Sequence, residues 1–332
     1  MARTVLFHEL GGPEVMRVED VAVGEPGPGE IRIRVDAFGL NRAEALFREG
    51  RYIDPVKSFP GKLGYEAAGV VEAVGEGVDG FEVGDAISTV PAFSQNDYGI
   101  YAEQAIVPAH AVLHRPEYVS AIDGAAVWMP YVTAYGGLVE VGRMRPGDTV
   151  VLNAASSSVG LAALQVAERT GATAIALTRG ESKKEALLKH GAAHVVVTDT
   201  EDMVERVREL TDGRGAEFVF DAVAGPGVLD LMKVVAADGM LIEYGMLSGQ
   251  PTPFPGFDLG MPPVNMRTFT MRETSHDPER MRRAAAYVNS GLRTGAFRPV
   301  VDRTFELAEI VEAHRHMAAN NQVGKIVVTV DR

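Results

Sequence analysis

The run NAASSSVG (153–160) lies between an apolar stretch, TVVLN (149–153), and the stripe Val159, Ala162, Ala163, Val166, Ala167. That stripe has the spacing of one helix face. A strand that turns into a helix through small residues is suited to phosphate: backbone N–H groups and the positive helix end both face the anion. In dinucleotide-binding turns, three glycines in the pattern G-x-G-x-x-G supply a tight bend, close backbone approach and close helix–strand packing. Laid over this chain, the pattern falls on Ala155, Ser157 and Gly160, so small residues replace two of the glycines. Ser156, Ser157 and Ser158 add hydroxyl donors, and Val159 follows at the helix start. Similar turns occur in α/β proteins that bind no nucleotide, so the turn alone leaves both readings open.

The next loop narrows the choice. Folds selective for NAD usually end the second strand in a carboxylate that bonds the ribose hydroxyls. Here the strand TAIALT (173–178) ends in Thr178, Arg179 and Gly180, with Lys183 and Lys184 following. A guanidinium suits a 2′-phosphate through paired, charge-assisted hydrogen bonds. A solvated basic helix start is the alternative, but cations there oppose the helix dipole unless an anion joins them. The expectation is NADPH rather than NADH.

These loops need a scaffold. The chain has 332 residues, 46% of them hydrophobic and 23% charged, enough for a sizeable core and two domains. Its net charge of −13 argues against nucleic acid or an anionic membrane as the main partner. With no cysteine, disulfides, thiolate catalysis and cysteine-ligated zinc are excluded. No signal-peptide pattern and no apolar run of roughly 20 residues is present, so a cytoplasmic protein is expected.

The first 120 or so residues are rich in Gly, Pro and short β-branched runs; EIRIRVDAFGL (30–40) alternates as a half-buried strand does. Residues 62–87 read as strand, turn and strand, which points to a partly open β-barrel. From about Ile122 strands and helices alternate: TVVLN, TAIALT, HVVVT (194–198), EFVFDAV (217–223) and MLIEYG (240–245), with helical segments between. Near-continuous apolar strands in that rhythm imply a doubly wound parallel sheet. A further helix is expected at about 278–289, and the terminal GKIVVTVDR strand is expected to return to the amino-terminal β domain.

Six segments together resemble one family: GLNRAEALFREGRY (39–52), LGYEAAGVVEAVGEGVDGFEVGD (63–85), AASSSVGLAALQVA (154–167), GAAHVVVT (191–198), FDAVAG (220–225) and GKIVV (324–328). In order and over nearly the whole chain they resemble the zinc-free quinone oxidoreductase branch of the medium-chain dehydrogenase/reductase superfamily. The resemblance implies an α/β fold: a GroES-like β-barrel domain of residues 1–123 and 273–332 and a Rossmann-type doubly wound domain of residues 124–272. It further implies cofactor in the cleft between them, and a homodimer through sheet edges. At the positions of the zinc ligands in the alcohol dehydrogenase branch stand Asn41, Tyr65 and, by looser alignment, Met129, so no metal is expected.

Without a metal Lewis acid, reduction of a quinone or an electron-poor C=C bond is easier than oxidation of a simple alcohol. Hydride from NADPH reaches an electrophilic carbon, and the developing oxyanion needs a neutral donor. Tyr52, Tyr65 and Asn41 are the candidate catalytic residues, each tyrosine having a packed aromatic as its plainer reading. Carried over as cofactor contacts are Asn41, Thr133, Thr198, Val223, Gly245, Met246, Leu247 and Lys325, joining Thr178, Arg179 and Lys183. Glu66 is expected to be a buried carboxylate paired with a basic residue, and Asp221 to brace a strand end. The eight histidines show no metal-ligand spacing, and most are expected at the surface. The proline-rich, apolar segment 251–274 suits a cleft wall or a dimer contact. The rival functions are a zinc-independent carbonyl or alcohol dehydrogenase and a non-catalytic NADPH-binding regulator.

Overall fold

The computed structural model describes residues 1–261 and 263–330, so the last two residues of the GKIVVTVDR strand lie outside the described residues. Two compact units emerge: Met1–Met129 together with the chain from Pro299 onward, and Pro130–Arg298.

In the first unit the order is β1 (Ala2–Phe7), β2 (Met16–Val21), β3 (Glu30–Gly39), α1 (Arg42–Arg48), β4 (Gly61–Lys62), β5 (Glu66–Val74), β6 (Ala86–Thr89), β7 (Gln104–Pro108), β8 (Val112–His114) and α2 (Ala121–Gly124). Helix α3 (Trp128–Ala134) then leads into the second unit. There follow a π-helical turn (Tyr135–Val141), β9 (Thr149–Leu152), α4 (Ser158–Thr170), β10 (Thr173–Thr178), α5 (Lys184–Lys189), β11 (His194–Val197), α6 (Met203–Leu210), β12 (Ala216–Asp221), α7 (Val228–Lys233), β13 (Val235–Glu243), β14 (Asn265–Thr268), α8 (Arg272–Ser275) and α9 (Pro278–Thr294). The chain re-enters the first unit with β15 (Val301–Glu306), α10 (Ile310–Ala318) and β16 (Lys325–Thr329).

The alternation in β3 buries Ile31, Ile33, Val35 and Ala37, as the sequence pattern requires. One edge of β3 pairs with β5 along most of its length. The opposite edge is divided, residues 30–34 pairing with β7 and residues 37–39 with β16. The terminal strand therefore closes the amino-terminal sheet, as expected. A smaller sheet runs β2-β1-β4.

The second unit holds one parallel sheet in the order β11-β10-β9-β12-β13-β14. This is the 3-2-1-4-5-6 order of a doubly wound dinucleotide fold, with its switch point between β9 and β12. All four residues of β9 are buried, as befits a strand covered on both faces. Helix α9, which the expected boundaries put in the β domain, belongs instead to the second unit. Its Met281, Ala284 and Val288 are buried, Arg283 pairs with Glu140 at 2.5 Å, and Tyr287 packs on Tyr135 with ring centroids 4.8 Å apart. The switches between units thus fall at 129/130 and 298/299, against the expected 123/124 and 272/273. Among the described residues no helix is long and apolar enough to cross a membrane.

Candidate functional site

The serine turn joins β9 to α4 at the switch point of the sheet. Its one left-handed non-glycine residue is Ala154, at φ 53°, and Asn153 Oδ1 accepts the Ala154 N–H at 2.9 Å. Ser157 has φ −69°, which any L-residue adopts, so the second pattern position does not require glycine here. Gly160 is different: a Cβ there would stand 2.4 Å from the Ala155 carbonyl oxygen and 2.6 Å from its Cα. The pattern keeps its glycine at the one position where helix and strand come closest.

The serines divide their work. Ser157 is the N-cap of α4, its Oγ accepting the Gly160 N–H at 3.0 Å, with the Tyr244 hydroxyl beside it. Ser156 Oγ accepts from Lys183 Nζ at 3.2 Å, tying the basic loop after β10 to the turn. Arg179 beside it is exposed and takes part in no ion pair among the described residues. Thr178 is buried, and its carbonyl accepts from the Thr198 N–H at 2.8 Å, which holds the next strand end alongside.

Asp221 closes β12 as a brace, fully buried and accepting Asn153 Nδ2 at 2.8 Å, Val223 N at 2.8 Å and Ala224 N at 3.0 Å. The loop after β13 is fastened to the same place, with the Leu247 N–H on the Ala222 carbonyl and the Ser248 N–H on the Val223 carbonyl. Gly245 has no room for a side chain, since a Cβ would meet the Ala222 carbonyl oxygen at 2.5 Å. Met246 and Leu247 are exposed, and Thr133, on α3, is buried. Ser156, Ser157, Ser158, Val159, Gly160, Thr178, Arg179, Lys183, Thr198, Val223, Gly245, Met246 and Leu247 are thus brought to the carboxyl ends of consecutive parallel strands, where ligands of such sheets bind.

In the first unit Asn41 opens α1. Glu44 Oε2 accepts its backbone N–H at 2.8 Å and Oε1 its amide Nδ2 at 3.1 Å. Lys325, expected to reach toward the cofactor, is an interior residue: it is 1% exposed and donates to Asn41 Oδ1 at 2.5 Å and Glu66 Oε2 at 2.6 Å. Burial makes it the cation for Glu66, because a lone buried carboxylate would be costly. Glu66 thereby has its expected basic partner, and its Oε1 accepts the Met129 N–H at 3.0 Å. Tyr65 is buried with its ring against Phe93, centroids 5.6 Å apart, whereas Tyr52 is half-buried at the margin of the same core.

Two features went unread in the sequence. Glu44 is one; the N-x-x-E spacing of Asn41 and Glu44 is a helix-start signature that could have found it. The other is His314, one of eight histidines of which most were expected at the surface, and here buried with its Nδ1 bonded to Arg48 Nη1 at 3.0 Å. Burial, with Arg48 close by, drives its pKa down to about 3. Among the described residues no three His, Cys, Asp or Glu side chains are grouped to hold a metal ion.

Comparison with known proteins agrees with this architecture. A family model described as an alcohol dehydrogenase GroES-like domain matches residues 27–117, and one described as a zinc-binding dehydrogenase matches residues 158–289. The chain is 32% identical over 332 residues to a quinone oxidoreductase of Pseudomonas aeruginosa, covering 99% of each. It is 30% identical over 337 residues to a 2-haloacrylate reductase of a Burkholderia species, again covering 99% of each. The solved structure of Escherichia coli quinone oxidoreductase complexed with NADPH superposes with a TM-score of 0.92 at 25% identity, covering 99% of this chain and 100% of that one. With its switch-point turn, its sheet order and its full-length relatives in agreement, the chain belongs to the quinone oxidoreductase branch of the medium-chain dehydrogenase/reductase superfamily, a family of oxidoreductases.

Proposed function

We propose that the protein is an NADPH-dependent reductase of quinones or of the C=C bond of α,β-unsaturated carbonyls, working without zinc. The observation that carries the cofactor reading is the basic strand end beside the serine turn: Lys183 bonded to Ser156, and Arg179 exposed at the end of β10. The residues fit a dinucleotide, because Gly160 lets α4 start tight against the turn and Ser157 caps the helix start that would face the anion. Arg179 and Lys183 supply charge for a 2′-phosphate. When bound, NADPH supplies the hydride.

The chain's own residues then have to bind, orient and stabilise negative charge. Asn41 presents an amide held by Glu44 and Lys325. Of the two tyrosines, half-buried Tyr52 is the better donor to a substrate oxyanion, since Tyr65 is 2% exposed. Zinc independence rests on donor chemistry: at the positions noted above Asn41 Oδ1 already takes an ammonium, and Tyr65 and Met129 are poor zinc ligands. The 2-haloacrylate reductase among the relatives favours electron-poor alkenes beside quinones.

Screening NADPH oxidation against a panel of quinones and enones tests the reading. An enone should yield the saturated ketone; an allylic alcohol would favour the carbonyl reductase instead. Tight NADPH binding without turnover of any panel member would favour a regulatory binding protein. Chelators should leave activity unchanged, and inhibition reversed by zinc would refute the metal-free reading. A homodimer is proposed through the outer edge of β14, beside the exposed Phe254, Phe257 and Met261; a monomer in sedimentation would refute it. A cytoplasmic location remains the proposed one, to be checked by fractionation.

A further inference from the structure

Asn41 is held by a chain of buried polar groups. Glu44, along α1, accepts the Asn41 backbone N–H at 2.8 Å and its amide Nδ2 at 3.1 Å, and the Gly39 carbonyl accepts from Nδ2 at 3.4 Å. From β16, Lys325 donates to Asn41 and to Glu66 on β5, and Glu66 accepts the Met129 N–H at the start of α3. Glu44, Glu66 and Lys325 are at most 1% exposed. The other charged or titratable groups facing this chain are Tyr101, in the loop before β7, and Arg48 on α1, with His314 of α10 behind them.

Two buried carboxylates therefore share one ammonium. Lys325 bonds Glu66 and acts on Glu44 only through its charge at longer range, so burial pushes the Glu44 carboxyl up to about 7 despite that charge and the Asn41 donors. Both Glu44 oxygens accept from Asn41, so a proton on either one weakens a contact with the asparagine.

Given the reductase reading above, we propose that Glu44 is a positioning residue whose ionised carboxylate fixes the Asn41 amide for cofactor or substrate, and whose protonation loosens that hold while Lys325 keeps the amide oxygen. The same proton acts on stability with the opposite sign. A carboxyl whose folded pKa lies above its unfolded value favours the folded state while protonated; that contribution is full below about 4.5 and is lost as pH rises to about 7. The ionised chain is the better-ordered catalyst and the less stable protein.

The test combines kinetics and melting of the full chain and Glu44→Gln. In the unmodified chain kcat rises through about pH 7, while in Glu44→Gln it is flat and, at about pH 8, several-fold lower, with a smaller change in KM for NADPH. The Tm difference, variant minus unmodified, grows as pH rises from about 4.5 to about 7, because the variant has no carboxyl to ionise. Equal loss of kcat at every pH, or a variant that keeps the unmodified pH limb, overturns the proposal. Should Glu44→Gln not fold, infrared difference spectra decide: a buried carboxylic acid band titrates near pH 7 in the unmodified chain and moves in Glu44→Asp, and its absence overturns the proposal. These spectra need no turnover, so an absence of NADPH oxidation would sink the reductase reading while leaving this one to be judged by the proton.

Discussion

Asn153 and Asp221 lock two neighbouring strand ends together, the Asn153 amide nitrogen donating to Asp221 Oδ1 at 2.8 Å across the switch point between β9 and β12. Asp221 also receives the N–H groups of Val223 and Ala224, and Ala224 is held at φ 59°. The carboxylate therefore organises both loops that flank the proposed dinucleotide site.

Asp221→Ala should leave three donors without their acceptor inside the protein. A loss of at least about 3 kcal/mol is expected, since charged acceptors contribute about 1.5–3 kcal/mol per bond and orphaned donors cost more. Urea unfolding measures it, with NADPH affinity expected to fall in parallel. Unchanged stability would mean that the loops hold themselves.

Gly160→Ala separates local preference from packing. Within a helix, alanine is ordinarily better than glycine by about 1 kcal/mol. Here the added Cβ would stand 2.4 Å from a backbone oxygen, so the sign should reverse, with a loss of about 1–3 kcal/mol and weaker cofactor binding. Fluorescence titration with NADPH and denaturant unfolding check both halves.

Arg179→Asp should narrow or invert the preference for NADPH over NADH. Removing a guanidinium from a 2′-phosphate is expected to cost roughly tenfold to a hundredfold in NADPH affinity, from the strength of one charge-assisted bond. Equal binding of both cofactors by the unmodified chain would sink the argument.

Ser157→Gly should be tolerated, costing a few tenths of a kcal/mol, because glycine is an adequate N-cap and the backbone there is ordinary. Ser157→Trp should abolish cofactor binding while leaving the melting temperature comparatively little changed. If the tryptophan variant binds NADPH normally, the turn does not hold the cofactor.

Acid should destabilise the protein through His314. Its folded pKa is depressed to about 3, so the unfolded chain takes up a proton near 6.5 that the folded chain refuses. This contribution is present above about 6.5 and is lost progressively as pH falls toward 3. His314→Asn should flatten that part of the Tm profile; an unchanged slope would exclude the histidine as its source.

The parallel sheet was legible because its strands are continuous apolar runs, and the return of GKIVV because a terminal strand needs a partner edge. The turn between β9 and α4 was legible as a strand-to-helix turn because Gly160 keeps its steric demand when the other glycines are lost. Helix α9 was misassigned because its amphipathic stripe says which face is buried and not against what; the Arg283–Glu140 pair that anchors it joins residues 143 positions apart. The Lys325–Glu66 pair could not be read from sequence for a related reason, since only the fold brings Glu66 to the terminal strand from 259 positions away.

The divided edge of β3 bears on how the chain is made. While residues 130–298 emerge during synthesis, positions 37–39 of β3 have no partner on that edge and Glu66 has no ammonium. The second unit, contiguous in sequence, can complete its core first, as domains generally fold as units. The first unit must wait for β16, so its last strand and its buried cation arrive together, and a nascent chain halted before residue 325 would carry an open sheet around an uncompensated carboxylate.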